Sequence, residues 1–364
     1  MKKIAIAAFF TLLSMALCHS KAVLHSATDP YIFYQGRVVK EGGKVSLDWS
    51  NTIITVRFYG TSLEMDCHDS GTCYFNLWID RDMSPVHDTV ISTEGGGRFT
   101  LASGLKKGEH SVTLQKRSEG ENGCLTIDGF ITDGNLLKAS DPFTRHIEFI
   151  GDSYTCGYGT EGADRDQPFR VSEENCNLAY ASITGRYFDA GIRTISHSGR
   201  GIIRNYDDGD PGRTMVERYP NVLDEGCKGM KWNAAKDGFK PDIVVIYLGT
   251  NDFSCSKQPA VGSWCEAYSK LLHQVRKNYG DDVPILCVAS KADILMGQYV
   301  RTAVERSGVE NVHWTDIQAD AHNDTGDLGS SYHPNYKGQR KVACCIIPYI
   351  STLTGWEMPF KTIE

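Results

Sequence analysis

Four short polar clusters stand where the chain passes from an apolar run into a loop or helix. Gly151-Asp152-Ser153-Tyr154 follows His146–Ile150, Ser198-Gly199-Arg200-Gly201 follows Arg193–Ser196, and Gly249-Thr250-Asn251-Asp252 follows Asp242–Leu248. His333-Pro334-Asn335 opens a helical stretch near the C-terminus. Each cluster offers a different part of an acyl-transfer site. A serine hydroxyl is a weak nucleophile until a base takes its proton, and histidine does so near neutral pH. The tetrahedral species then needs donors aimed at its oxyanion. The expected roles are Ser153 as nucleophile, His333 as base, and Gly199 and Asn251 as oxyanion donors beside the Ser153 N–H.

Blander roles exist for each residue taken singly. Ser153 can cap a helix, His333 can cap one that has Pro334 at its first position, and Gly199 and Asn251 can serve turns. Asp252 is expected to be structural. Four clusters in one half of the chain outweigh these readings. Gly157-Tyr-Gly-Thr-Glu-Gly162 matches a dinucleotide fingerprint, but no helix opens within it and the loop-like Ala163–Pro168 follows, so nucleotide binding is not expected. The Gly-x-Ser-x-Gly lipase pattern is missing around Ser153, which argues against an α/β-hydrolase fold. Tyr158 and Trp264 are the candidate substrate contacts and Trp232 a further one, since an aromatic face can stack on a substrate. Core packing competes for all three.

The elements that must position these residues fall into two halves. From about Val39 to Asp133, β-branched and aromatic runs such as Thr52–Tyr59, Tyr74–Asp80 and His110–Lys116 alternate with Gly-containing turns. This pattern predicts an antiparallel, jelly-roll-like β-sandwich. After about Thr144, strand-like runs (the three above, Val283–Ala289 and Val312–Asp316) alternate with helical stretches at Ala179–Asp189, Trp264–Tyr279, Gln298–Arg306 and Pro334–Ile350. That order predicts an α/β domain with a parallel sheet covered on both faces. Ligands of such sheets sit beyond the C-terminal strand ends, where the polar clusters lie. The expected domains are 23–138 for the sandwich and 139–364 for the α/β half, after a leader at 1–22.

The four blocks, in this order over about residues 146–350, resemble the SGNH hydrolases, which implies a three-layer α/β/α fold with Ser153, Gly199, Asn251 and His333 in the roles above. Tyr158–Gly162, Ala179-Tyr180-Ala181, Ser198–Ile202, Arg204-Asn205-Tyr206, Tyr219-Pro220 and Leu248–Phe253 are similar to carbohydrate esterase family two. That likeness implies an N-terminal sandwich and removal of O-acetyl groups from plant polysaccharides such as xylan or glucomannan. One position departs from the pattern. SGNH enzymes usually carry Asp three residues before the histidine, and here Ser330 stands there. The family-two resemblance implies that a backbone carbonyl can hold the ring instead; Asp327, Asp324 and Asp320 are the rivals.

The net charge of −7 disfavours nucleic acid or an anionic membrane as partner, since both reward a basic face. Lys2 and Lys3 precede a mostly apolar run from Ile4 to Leu17, about 14 residues, the length of a signal-peptide core and short of a membrane span. A secreted or periplasmic protein is expected, with cleavage near Ser20 or Ala22; a lipoprotein at Cys18 is the weaker reading. The chain has 12 cysteines, and export suggests disulfides. Cys67 with Cys73 suits a local bridge, while Cys255 with Cys265, or Cys344 and Cys345, could serve elsewhere. No metal motif occurs, so neither metal nor cofactor is expected. The sequence thus reads as a monomeric polysaccharide O-deacetylase. Its rivals are an esterase of lipase or thioesterase type and a glycan-binding protein with reduced activity.

Overall fold

The computed structural model describes residues 22–208, 212–226, 229–255, 257–290, 294–317 and 325–364. The first half contains strands β1 (Val23–Ser26), β2 (Phe33–Gln35), β3 (Val39–Glu41), β4 (Lys44–Leu47), β5 (Ile53–Gly60) and β6 (Leu63–Asp69). They are followed by β7 (Tyr74–Ile79), β8 (Thr89–Ser92), β9 (Gly97–Ala102), β10 (Gly108–Lys116), β11 (Leu125–Thr132) and β12 (Asn135–Leu137). Two antiparallel sheets form, ordered β3-β4-β11-β6-β9 with β1 on β11, and β12-β5-β10-β7-β8 with β2 on β5. Alternation places Ile54, Val56 and Phe58 of β5 and Val112 and Leu114 of β10 in one core with Met65, Phe75 and Phe130, as the two-residue period requires.

The second half runs β13 (His146–Gly151), α1 (Ser153–Cys156), α2 (Tyr180–Phe188), β14 (Gly191–Ser196), α3 (Met215–Arg218), α4 (Ala234–Asp237), β15 (Ile243–Tyr247), α5 (Val261–Tyr279), β16 (Ile285–Ala289), α6 (Ile294–Arg306), β17 (Val312–Asp316) and α7 (Tyr336–Thr354). The sheet is parallel, ordered β14-β13-β15-β16-β17. Successive residues of its strands face opposite sides. Ile150 and Ile246 join α5 and α6 in one core, while Phe149 and Val245 join α2 and α7 in the other. From β13 the chain steps to one side into β14 and later to the other side into β15, so a switch point opens beyond β13.

The helices follow the sequence reading with shifted ends. Pro334 stays outside α7, whose cap is Asn335, its side chain accepting the Gly338 N–H at 3.1 Å. The helix also continues through Pro348 to a left-handed Gly355. Proline removes the N–H that would meet the carbonyl of Cys344, and Cys344 is exposed, so solvent can replace that bond. α5 starts three residues before Trp264, and α6 four before Gln298.

The halves are joined by buried polar bonds. The Asp48 carboxylate accepts the N–H groups of Asp224, Glu225 and Gly226, each at 2.8 Å. Trp49 Nε1 donates to the Val222 carbonyl at 3.0 Å. Arg37, fully buried, pairs with Glu148 at 3.7 Å and donates to the Asn221 carbonyl at 3.0 Å. Cys67 and Cys73 are not bridged: both are buried thiols in the sandwich core, where a thiol packs as a small apolar group. Cys255, Cys265, Cys344 and Cys345 are likewise thiols. Cys18, Cys227 and residues 1–21 of the expected leader lie outside the described residues. Among the described residues, no helix is long and apolar enough to cross a membrane.

Candidate active site

Asp152, rather than Ser153, caps α1: its carboxylate accepts the Tyr154 N–H at 3.2 Å. The Ser153 hydroxyl is left for another partner, and its Oγ lies 2.8 Å from Nε2 of His333. The second ring nitrogen, Nδ1, lies 2.8 Å from the Ser331 carbonyl. A carbonyl can only accept, so Nδ1 holds the proton and Nε2 offers its lone pair to the serine. Burial pushes the imidazole down to about 4, against the pull of the Ser331 carbonyl. The ring is therefore neutral at pH 7 and able to take a proton.

The carbonyl reaches the ring because Ser331 and Tyr332 both adopt positive φ, 52° and 60°, a region costly for residues other than glycine. Several bonds over-determine it. Ser331 N–H donates to the Gln167 carbonyl at 2.9 Å, Tyr332 N–H to that of Arg165 at 3.1 Å, and Gly329 N–H to that of His333 at 2.7 Å. Phe169 N–H reaches Ser331 Oγ at 3.1 Å. Asp327 is engaged elsewhere: its buried carboxylate pairs with Lys337 at 3.1 Å and Lys341 at 2.5 Å. Asp320 and Asp324 lie outside the described residues.

The oxyanion candidates cluster at the switch point, after β13, β14 and β15. Gly199 has φ +73°, which glycine adopts at no steric cost, and its carbonyl accepts the Tyr206 N–H at 2.8 Å. Among the described residues, neither the Ser153 nor the Gly199 N–H donates to a protein acceptor. Asn251 is more committed than its sequence position suggests. Its amide donates to the Arg200 carbonyl at 3.1 Å and to Asp152 at 3.2 Å, so it meets an oxyanion by sharing a proton in a three-centre bond. Burial pushes Asp152 up to about 7, with the Asp252 charge adding to the rise against the Tyr154 N–H. Asp252 is structural, as expected: it accepts the N–H groups of Ile202 and Ile203 at 2.8 Å and holds the loop after β14.

The aromatic expectations need correction. Trp264 is fully buried between Tyr268 and Tyr299, with ring centroids 4.9 and 5.8 Å away, and presents no face to a substrate. The indole stands beside the Gly249 turn that leads to Asn251, but its side of α5 faces the sheet. Tyr158 lies at the site but stacks flat on Phe169 at 3.6 Å and sits 4.4 Å from the His333 ring. It braces the base instead of offering a platform. Trp232 carries the Arg37 guanidinium at 3.8 Å, in the joint between the halves. Two aromatics that sequence reasoning missed are better placed. Tyr332, 59% exposed, directly precedes His333, and Tyr206, 64% exposed, lies against Gly199. Adjacency to a site residue was the available signal for Tyr332.

The strand order and the serine–imidazole contact at its switch point define a hydrolase of the GDSL class. Residues 149–341 match the GDSL-like Lipase/Acylhydrolase family, and residues 34–140 match the Carbohydrate esterase 2 N-terminal family. A family two carbohydrate esterase from Clostridium thermocellum, solved with cellohexaose, is 32% identical with a TM-score of 0.80 over 90% of this chain and 100% of that one. The chain belongs to carbohydrate esterase family two. It is also 26% identical to an acetylxylan esterase / glucomannan deacetylase of Cellvibrio japonicus, over 96% of this chain and 98% of the relative. Cellulase/esterase CelE of Acetivibrio thermocellus is 34% identical over 90% of this chain, which spans 40% of that protein's length.

Proposed function

We propose that this protein is an exported serine esterase that removes O-acetyl groups from plant polysaccharides of the xylan or glucomannan type. The observation that carries the reading is the 2.8 Å contact between Ser153 Oγ and Nε2 of an imidazole whose other nitrogen is held by a carbonyl. In the first half-reaction His333 takes the hydroxyl proton as Ser153 attacks the acetyl carbonyl. The N–H groups of Ser153 and Gly199, with the Asn251 amide, receive the charge on the carbonyl oxygen. Collapse expels the sugar oxygen, which takes the proton from His333 and leaves an acetyl-serine. Water, deprotonated by the same imidazole, then releases acetate and restores the hydroxyl.

The substrate class rests on the relatives' names and on two exposed aromatics, Tyr206 against Gly199 and Tyr332 next to His333 in the chain, as candidate contacts for a sugar chain. Export rests on the Lys2-Lys3 and Ile4–Leu17 pattern. The test is acetate release from acetylated xylan, acetylated glucomannan and 4-nitrophenyl acetate, with Ser153→Ala as control. Turnover of all three, lost in the variant, is expected. A preference for long-chain esters over acetate would favour the lipase or thioesterase reading. Binding to polysaccharide with no release would favour a glycan-binding protein.

A further inference from the structure

A sandwich side chain reaches the elements that carry the site. Glu119, between β10 and β11, is fully buried. Its Oε2 accepts the N–H of Ser198 at 2.6 Å. The same oxygen lies 3.5 Å from the Cys156 thiol on α1, three residues after Ser153. One carboxylate from the first half thus touches both the loop that carries Gly199 and the short helix that carries the serine. Its other oxygen has no hydrogen-bond partner among the described residues, and neither has Oε1 of Glu174. Carboxylate oxygens of the two residues lie within 4.8 Å of each other and of the Cys156 thiol.

Burial raises the Glu119 carboxyl, and a neighbouring cation opposes that rise. His197, which ends the turn out of β14, is fully buried with Nδ1 2.6 Å from Asp224 and Nε2 3.3 Å from Glu121 of the same sandwich turn. Burial opposes its charge, yet Asp224 and its hydrogen bond push the imidazole up to about 10, so it stays a cation beside Glu119. Gly199 itself resists rotation little, because a glycine at φ +73° has no side chain to lock it. The flanking bonds must supply the rigidity. Tyr206 N–H holds the Gly199 carbonyl on one side, and Glu119 holds the His197–Ser198 peptide on the other.

We propose that Glu119 is a positioning residue through which the sandwich aims the Gly199 N–H at the oxyanion, by anchoring the peptide before Ser198. This rests on the serine-esterase reading above. It gives the N-terminal half a part in catalysis.

The test uses the full chain and two variants of nearly equal shape. Glu119→Met fills the space without an acceptor. Glu119→Gln keeps a carbonyl for Ser198 and turns its amide toward Glu174. Kinetics on 4-nitrophenyl acetate are measured beside the affinity for an alkylboronic acid, which forms a tetrahedral adduct on Ser153, with folding checked by melting. Misplacing one group by about 1 Å can cost about 100-fold in rate. Glu119→Met is expected to lose about 10- to 100-fold in kcat with KM within about threefold, and to weaken boronate affinity by the same factor; Glu119→Gln recovers most of both. Wild-type kcat or boronate affinity in a folded Glu119→Met protein would overturn the proposal, and so would a folded Glu119→Gln no better than Met. A wild-type chain that binds the boronate at Ser153 yet turns over no ester would sink the esterase reading, while the boronate series still decides the role of Glu119.

Discussion

The Ser331 carbonyl oxygen stands 2.8 Å from Nδ1 of His333, in the place where SGNH hydrolases usually bring an aspartate. A neutral acceptor fixes the tautomer and aims Nε2, though it stabilises the imidazolium of the transition state less than a carboxylate would. The geometry that delivers it, two consecutive residues at positive φ, is held by the 165–169 loop.

Replacing Asp327 separates this arrangement from a triad. Asp327→Ala is expected to keep kcat/KM within about threefold, because its carboxylate meets Lys337 and Lys341 rather than the imidazole. The melting temperature should fall by a few degrees, the response to a loss of about 1 kcal/mol. A thousandfold loss of turnover in folded protein would restore a triad.

The pH profile follows from the sign of the His333 shift. The base works only when neutral, and burial lowers it from 6.5 to about 4. The acid limb of kcat/KM should therefore lie near pH 4 to 5, below the ordinary histidine range. Stability moves the same way. The unfolded chain takes up this proton first as pH falls below 6.5, so the contribution present at neutral pH is lost between there and about 4. An acid limb centred near 6.5 would contradict the neutral, buried imidazole.

Asn251→Ala should lower kcat by about 100-fold, at the lower edge of what one oxyanion donor is worth, because the amide is already shared with Arg200 and Asp152. KM should change little. Steady-state kinetics on 4-nitrophenyl acetate give the answer, and a full retention of kcat would leave the oxyanion to the two backbone groups.

Tyr332→Ala and Tyr206→Ala are expected to raise KM on acetylated polysaccharide by about 5- to 30-fold each, equivalent to about 1–2 kcal/mol. A small ester spans no stacking subsite, so its kcat/KM should move far less. Equal losses on both substrates would make these rings part of the catalytic geometry instead.

Much of this architecture was legible in local pattern. The strand runs ending at Ile150, Ser196 and Leu248 carried their polar clusters with them, because apolar strand and polar loop alternate wherever a parallel sheet is buried on both faces. Ser153 and His333 could be read from residue type plus position. Trp264 could not: a periodic helix shows which residues share a face, not whether that face meets substrate or sheet. Tyr158 lay at the site, but stacking on Phe169 depends on a loop fold that no period encodes. Glu119 sits in a turn between two sandwich strands, 79 residues from the amide it accepts, and nothing in its neighbourhood announces that contact. The Cys67 and Cys73 pair failed for a related reason. Short spacing suggested a bridge, whereas the chain between them leads from one sheet to the other and buries both thiols.

The most direct test of the Ser153–His333 pair is to trap the intermediate. The protein is mixed with 4-nitrophenyl acetate, quenched in acid within the first turnovers, and mapped by peptide mass spectrometry. One acetyl group on the peptide that contains Ser153, absent from Ser153→Ala and from His333→Ala, is the expected result. Undiminished acetate release by Ser153→Ala, or acetyl label carried on a different residue in the wild type, would contradict it.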